Sequence, residues 1–120
     1  MAQVSSKKPL GSAARLNILL SALSETVDER VSGNPEKSYT AKLLHSGPIR
    51  CGKKIAEEGA ELALAIAAEG RTETAEEAAD LLFHMLVGLR AKGVSLDMVA
   101  EALAERRGVS GIVEKASRKD

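Results

Sequence analysis

Apolar residues recur along this chain at the three- and four-residue spacing of helices, and no stretch shows the strict alternation of a half-buried strand. Leu16, Leu19, Leu20, Leu23 and Val27 mark one face of a first helix from Ser12 to about Val31, which Gly33-Asn34-Pro35 ends. Ser38 can cap a short second helix through Tyr39, Leu43 and Leu44, and Gly47-Pro48 stops it. A third helix is predicted from about Ile49 to Glu69, with Gly70 as its left-handed C-terminal residue. Thr72 is expected to cap a fourth that continues to Lys92 and stops at Gly93. Ser95 caps a fifth, from Leu96 to Arg107, closed by Gly108.

This pattern predicts an all-α fold, a bundle of about five helices. A flexible segment over residues 1–11 would precede a domain over 12–108, and a tail without periodicity would occupy 109–120. About three residues separate the third and fourth helices, so the two are expected to form a central antiparallel hairpin. The fourth helix is apolar on nearly every side, through Leu81, Leu82, Phe83, Met85, Leu86 and Leu89. Five helices this apolar have too few neighbours in one chain, which motivates completion of the bundle by dimerisation.

The hairpin carries the candidate chemistry. Glu58 and Glu61 lie three residues apart on the third helix, and Glu77 and Asp80 are spaced alike on the fourth. Residues at i and i+3 face the same way, and the short connection sets both pairs at nearly the same height. Measured round the third helix from Ile55, Glu58 falls at about 300°, between Leu62 at about 340° and Ala65 at about 280°, inside the apolar stripe. Glu57 points further round. Measured round the fourth helix from Leu81, Glu77 falls at about 320°, Asp80 at about 260° and His84 at about 300°.

One exposed Glu-x-x-Glu means little, because solvated acids at that spacing repel by only about 0.2–0.5 kcal/mol. Uncompensated burial of a carboxylate costs several kcal/mol, and here two pairs lie beside apolar stripes. Lys53, Lys54 and Arg50 flank only the first pair. A hard, oxygen-seeking cation such as Mg²⁺ compensates both and leaves positions for substrate phosphates. The lysines have an alternative reading as a solvated basic turn. His84 reads as an interior residue with a satisfied hydrogen bond, and Cys51 as a small core residue.

Composition narrows the partners. Basic and acidic side chains balance at 17 each, so no global field draws the chain to nucleic acid or an anionic membrane. Tyr39 and Phe83 are the only aromatics, too few for single-stranded nucleic acid. A lone cysteine excludes an intrachain disulfide and a cysteine-cluster metal site, and fits a reducing cytosol. The apolar run from Leu81 to Leu89 covers less than half of the roughly 20 residues that cross a bilayer, and no export signal is read in the first helix.

Several stretches together resemble one family. These are Ser38-Tyr39-Thr40-Ala41-Lys42-Leu43-Leu44 with Gly47, the run Lys53-Lys54-Ile55-Ala56-Glu57-Glu58 through Glu61, and Glu76-Glu77-Ala78-Ala79-Asp80-Leu81-Leu82-Phe83-His84. Gly93-Val94-Ser95-Leu96 and the tail Ser110-Gly111-Ile112-Val113-Glu114-Lys115-Ala116-Ser117-Arg118 follow in order. The acid motifs alone are similar to the wider all-α, MazG-like nucleotide pyrophosphatases. The Ser-Tyr-Thr run and the Ser-Gly-Ile tail resemble the phosphoribosyl-ATP pyrophosphatase family within it.

The resemblance implies a cytoplasmic homodimeric enzyme of histidine biosynthesis that uses Mg²⁺ to hydrolyse phosphoribosyl-ATP to phosphoribosyl-AMP and pyrophosphate. By position it implies Glu58, Glu61, Glu77 and Asp80 as metal ligands, with Glu57 close by; Glu57 or Glu61 would act as base. It places Lys42, Arg50, Lys53 and Lys54 toward the substrate phosphates. The chain departs from the family where Arg50-Cys51-Gly52 replaces a Lys-Ile pair and a variable residue. Arg50 keeps the charge, and Cys51 is smaller. Two rival readings stand beside this one: a house-cleaning nucleoside triphosphate pyrophosphatase, and a non-catalytic helical dimerisation or regulatory module whose acids form only salt bridges.

Overall fold

The computed structural model describes residues 10–107, so the tail from Gly108 and the first nine residues lie outside the described part. Among the described residues there are five helices and no strand: α1 (Ala14–Arg30), α2 (Tyr39–Ser46), α3 (Pro48–Ala68), α4 (Arg71–Lys92) and α5 (Leu96–Arg106). Local chemistry sets most of these boundaries. Ser38 Oγ accepts from the Ala41 N–H at 3.1 Å and opens α2, and Ser95 Oγ accepts from Met98 at 3.2 Å and opens α5. Pro48 takes the first position of α3, where its missing N–H costs nothing, so Gly47-Pro48 both stops one helix and starts the next. Gly93 ends α4 with φ 79°, a left-handed conformation suited to glycine.

Two expectations at the α3–α4 turn need correction. Gly70 is extended, with φ −80° and ψ 173°, and it is the N-cap of α4. Thr72 lies inside the first turn of α4 and caps nothing. Gly70 O is the first acceptor of α4, taking the Thr74 N–H at 3.0 Å and the Thr74 hydroxyl at 2.8 Å, and the same hydroxyl lies 3.2 Å from Ala65 O, which already accepts from the Glu69 N–H at 2.9 Å. Glu69 and Gly70 alone connect the helices.

The core gathers Val27, Leu43, Cys51, Leu86 and Val87, with Leu20, Leu44, Phe83 and Ala91 packed against it. Helix α3 lies along α4 in the most extensive contact of the fold, antiparallel, with Ala65 near Thr74 at one end and Cys51 and Ile55 near Gly88 at the other. Gly88 permits this approach, since a Cβ there would lie 2.7 Å from Ile55 Cδ1. Cys51 fills the adjacent space, and its thiol donates to Leu43 O at 3.3 Å. Burial pushes that thiol above its ordinary pKa, which makes it unreactive. His45 Nε2 donates to Val31 O at 3.0 Å and ties α2 to the end of α1.

The apolar stripe of α1 is only partly covered. Val27 is buried and Leu20 half-buried, whereas Leu16, Leu19 and Leu23 are exposed, Leu19 by 47%. Nor is α4 enclosed throughout, for Met85 is exposed. Helix α5 buries none of its residues.

Val87 is fully buried where α4 meets the core. Val87→Ala should lower unfolding stability by roughly 2 kcal/mol with an unchanged denaturant slope, as measured by chemical denaturation. A loss below about 0.5 kcal/mol would show that this position is not packed as described.

Candidate metal centre

The hairpin geometry converts helical angle into burial. Glu58, inside the α3 apolar stripe, is only 8% exposed, while Glu57 and Glu61 are exposed. On α4, Glu77 is half-buried and Asp80 exposed, the order expected from their angles. Glu58, Glu77 and Asp80 each offer a carboxylate oxygen, and these oxygens lie within 4.8 Å of one another. Glu61 falls outside that group but stands beside Glu77, near enough for a hydrogen bond when one carboxyl is protonated.

The electrostatics of this cluster are unbalanced. Glu58 Oε2 and Glu77 Oε2 are both buried and have no hydrogen-bond partner among the described residues. The Glu77 carboxyl is held above the ordinary carboxylate range, first by desolvation, then by the hydrogen bond to Glu61 and the charges of Glu61, Asp80 and Glu58. Orphaned acceptors of this kind carry the full cost of their lost hydration until something satisfies them, and more when charged. An all-oxygen donor set suits a hard divalent cation, and the residues present fit one.

Among the described residues, Lys54 is the basic side chain that reaches the cluster. Its Nζ lies 3.5 Å from Glu58 Oε1 and 3.5 Å from Glu57 Oε2. The Tyr39 oxygen is the largest influence holding this ammonium above its ordinary pKa; burial opposes it, and Glu57 and Glu58 add to it. Lys42, Arg50 and Lys53 are exposed and form no ion pair with any described residue. Arg50 and Lys54 stand two turns and one turn before Glu58 on the same side of α3, so positive charge leads along the helix into the acids.

His84 is interior and hydrogen-bonded, only 8% exposed. Its Nδ1 donates to the Asp80 carbonyl at 2.8 Å, and Nε2 meets the Tyr39 hydroxyl at 3.0 Å. Tyr39 is therefore a neighbour of the centre that spacing alone does not single out. The available signal is the scarcity of aromatics: both rings of the chain pack edge-on against His84, Tyr39 at 6.0 Å and Phe83 at 5.2 Å between centroids.

Because Glu77 is held above the ordinary range, the folded chain binds its proton more tightly than the unfolded chain does. Its contribution to stability is thus lost as pH rises from the ordinary carboxyl range through the raised value, and regained as pH falls. In chelator, thermal unfolding from about pH 4 to pH 8 should show Glu77→Gln gaining on the unmodified protein as pH rises. An equal difference at every pH would contradict this picture of Glu77.

Comparison with known proteins places the chain in a family. A family model described as phosphoribosyl-ATP pyrophosphohydrolase matches residues 20–107. The phosphoribosyl-ATP pyrophosphatase of Caulobacter vibrioides is 50% identical over 104 residues, covering 87% of this chain and 96% of the relative. Phosphoribosyl-ATP pyrophosphatase 1 of Rhodopseudomonas palustris is 50% identical over 97 residues, 81% of this chain and 91% of the relative. The histidine biosynthesis bifunctional protein HisIE of Wolinella succinogenes is 52% identical over 91 residues, 76% of this chain and 40% of that longer protein. The matched span contains every acid of the hairpin and the whole Tyr39–His84 contact, and the chain belongs to the phosphoribosyl-ATP pyrophosphohydrolase family.

Proposed function

We infer that this protein hydrolyses phosphoribosyl-ATP to phosphoribosyl-AMP and pyrophosphate, the second step of histidine biosynthesis, with Mg²⁺ as its cofactor. The observation that carries the reading is the group of three converging carboxylates with two buried, unpartnered oxygens, in a chain of this family. Glu58, Glu77 and Asp80 would hold the cation, with Glu61 as a further oxygen donor beside Glu77. When bound, such a cation supplies neutralisation of the triphosphate charge and acidifies water.

The chain's own groups account for the rest. Water attacks the α-phosphorus, the bond to the bridging oxygen toward the β-phosphorus breaks, and pyrophosphate leaves. Glu61 is the better-placed base for the water's proton, because it stands at the cluster while Glu57 faces Lys54. Lys54 binds the phosphates and holds the charge of the leaving group, with the exposed Lys42, Arg50 and Lys53 as further basic groups for the substrate. Activity in the cytoplasm suits this chemistry; no helix among the described residues is long and apolar enough to cross a membrane. The protein acts as a homodimer in this reading, because Leu16, Ile18, Leu19 and Leu23 on α1 and Leu64 and Ile66 on α3 are exposed.

Purified protein given phosphoribosyl-ATP, dUTP and the common nucleoside triphosphates should release pyrophosphate from phosphoribosyl-ATP alone, and only with Mg²⁺. Preferential turnover of another triphosphate would favour a house-cleaning enzyme, and no turnover would leave a non-catalytic module. Glu58→Gln should lower turnover by about two orders of magnitude or more while the fold persists. Full activity in that variant would contradict the ligand assignment. Sedimentation should give a dimer, and a stable monomer would overturn that part.

A further inference from the structure

We propose that the ring of Tyr39 is the platform on which the purine base of the substrate stacks while its triphosphate lies at the acids of the hairpin. The inference rests on the reading that this site takes a nucleotide. Two hydrogen bonds join Tyr39 to the centre. The Asp80 carbonyl can only accept, so His84 Nδ1 bears the hydrogen in the 2.8 Å bond between them. In the neutral ring Nε2 then presents a lone pair, and the Tyr39 hydroxyl, 3.0 Å away, donates to it. A single imidazole therefore separates the Tyr39 hydroxyl from the backbone of Asp80, whose carboxylate is among the three that converge.

Tyr39 is pinned at both ends and still open to solvent. It is the first residue of α2, directly after the Ser38 cap, so that cap sets the backbone from which its ring extends. Its hydroxyl is tied to a buried histidine, itself packed edge-on against Phe83. The residue is nevertheless 52% exposed. His84 meets the phenol ring at 77° between ring planes, so His84 itself is not stacked on it. An aromatic ring already held in place loses little freedom when a ligand lies on it, which is the condition for an efficient contact.

The scarcity of aromatics singles out the same residue. A base presents two π-faces, and an aromatic side chain is the usual partner for one of them. Tyr39 and Phe83 are the only phenyl rings of the chain, and Phe83 is packed against the core. Tyr39 is thus the ring available beside the acids. A purely structural tie between α2 and α4 is the alternative. Such a tie needs the hydroxyl and alters melting, whereas a platform needs the ring and alters nucleotide binding without touching the triphosphate.

Steady-state kinetics with phosphoribosyl-ATP on Tyr39→Leu and Tyr39→Phe separate the two roles. Tyr39→Leu should raise KM about tenfold and leave kcat within about threefold, the signature of lost uniform binding, and Tyr39→Phe, which keeps the ring, should recover most of that loss. The inhibition constant of inorganic tripolyphosphate, which has no base to stack, should stay within about twofold in both variants. The unmodified protein offers a second measurement, because Tyr39 is its only tyrosine and gives one set of ring-proton resonances in NMR. With Mg²⁺, phosphoribosyl-AMP at concentrations that inhibit turnover should move those resonances upfield, as a base lying over the ring does, and tripolyphosphate should not. Wild-type KM in Tyr39→Leu, equal impairment of Tyr39→Phe and Tyr39→Leu, a tripolyphosphate constant that weakens in step with KM, or ring resonances that phosphoribosyl-AMP leaves in place would each overturn the proposal. Absence of turnover in the unmodified protein would instead sink the proposed activity.

Discussion

Convergence of like charge at the middle of one helical hairpin is the constraint around which this molecule is arranged. Three carboxylate oxygens within 4.8 Å, two acceptors buried without partners, and one lysine against the group leave negative charge in excess. A core built only for stability would not carry such a centre, since burial of an uncompensated carboxylate costs several kcal/mol. In the proposed reading a divalent cation supplies the compensation, and the acids are then stability forgone in the free protein in exchange for affinity toward it.

The rest of the fold holds that crowded centre in register. Thr74 closes the α3–α4 turn in the space of Glu69 and Gly70, which sets the height at which Glu58 faces Glu77. Gly88 and Cys51 keep the helices close on the other side of the acids. Helix α2, capped by Ser38 and tied through His45 to α1, brings Tyr39 to His84 and so reaches the edge of the site. Each device is small. Together they place carboxylates from two helices around one point.

Much of this is legible in the order of residues. A rotation of about 100° per residue suffices to send Glu58 inward, and the caps at Ser38, Ser95 and Gly93 each have a local chemical cause. The same arithmetic leaves about 60° between residues three apart, which is why Glu61 and Asp80 sit exposed while Glu58 and Glu77 turn inward. Gly70 departs from expectation because it opens α4 as its extended N-cap, its carbonyl accepting from the N–H and the hydroxyl of Thr74. The α1 stripe illustrates a different limit: periodicity tells which residues share a face and says nothing of what covers it. Tyr39 and His84 meet across 45 positions, a contact that only the packing of α2 on α4 creates.

The central claim is that Glu58, Glu77 and Asp80 form one divalent-cation site. Anomalous diffraction from crystals grown with Mn²⁺ tests it most directly. A single strong peak within about 2.0–2.3 Å of oxygens from all three residues is the predicted result. Crystals whose manganese lies elsewhere, with the three carboxylates instead neutralised by Lys54 or by shared protons, would contradict it.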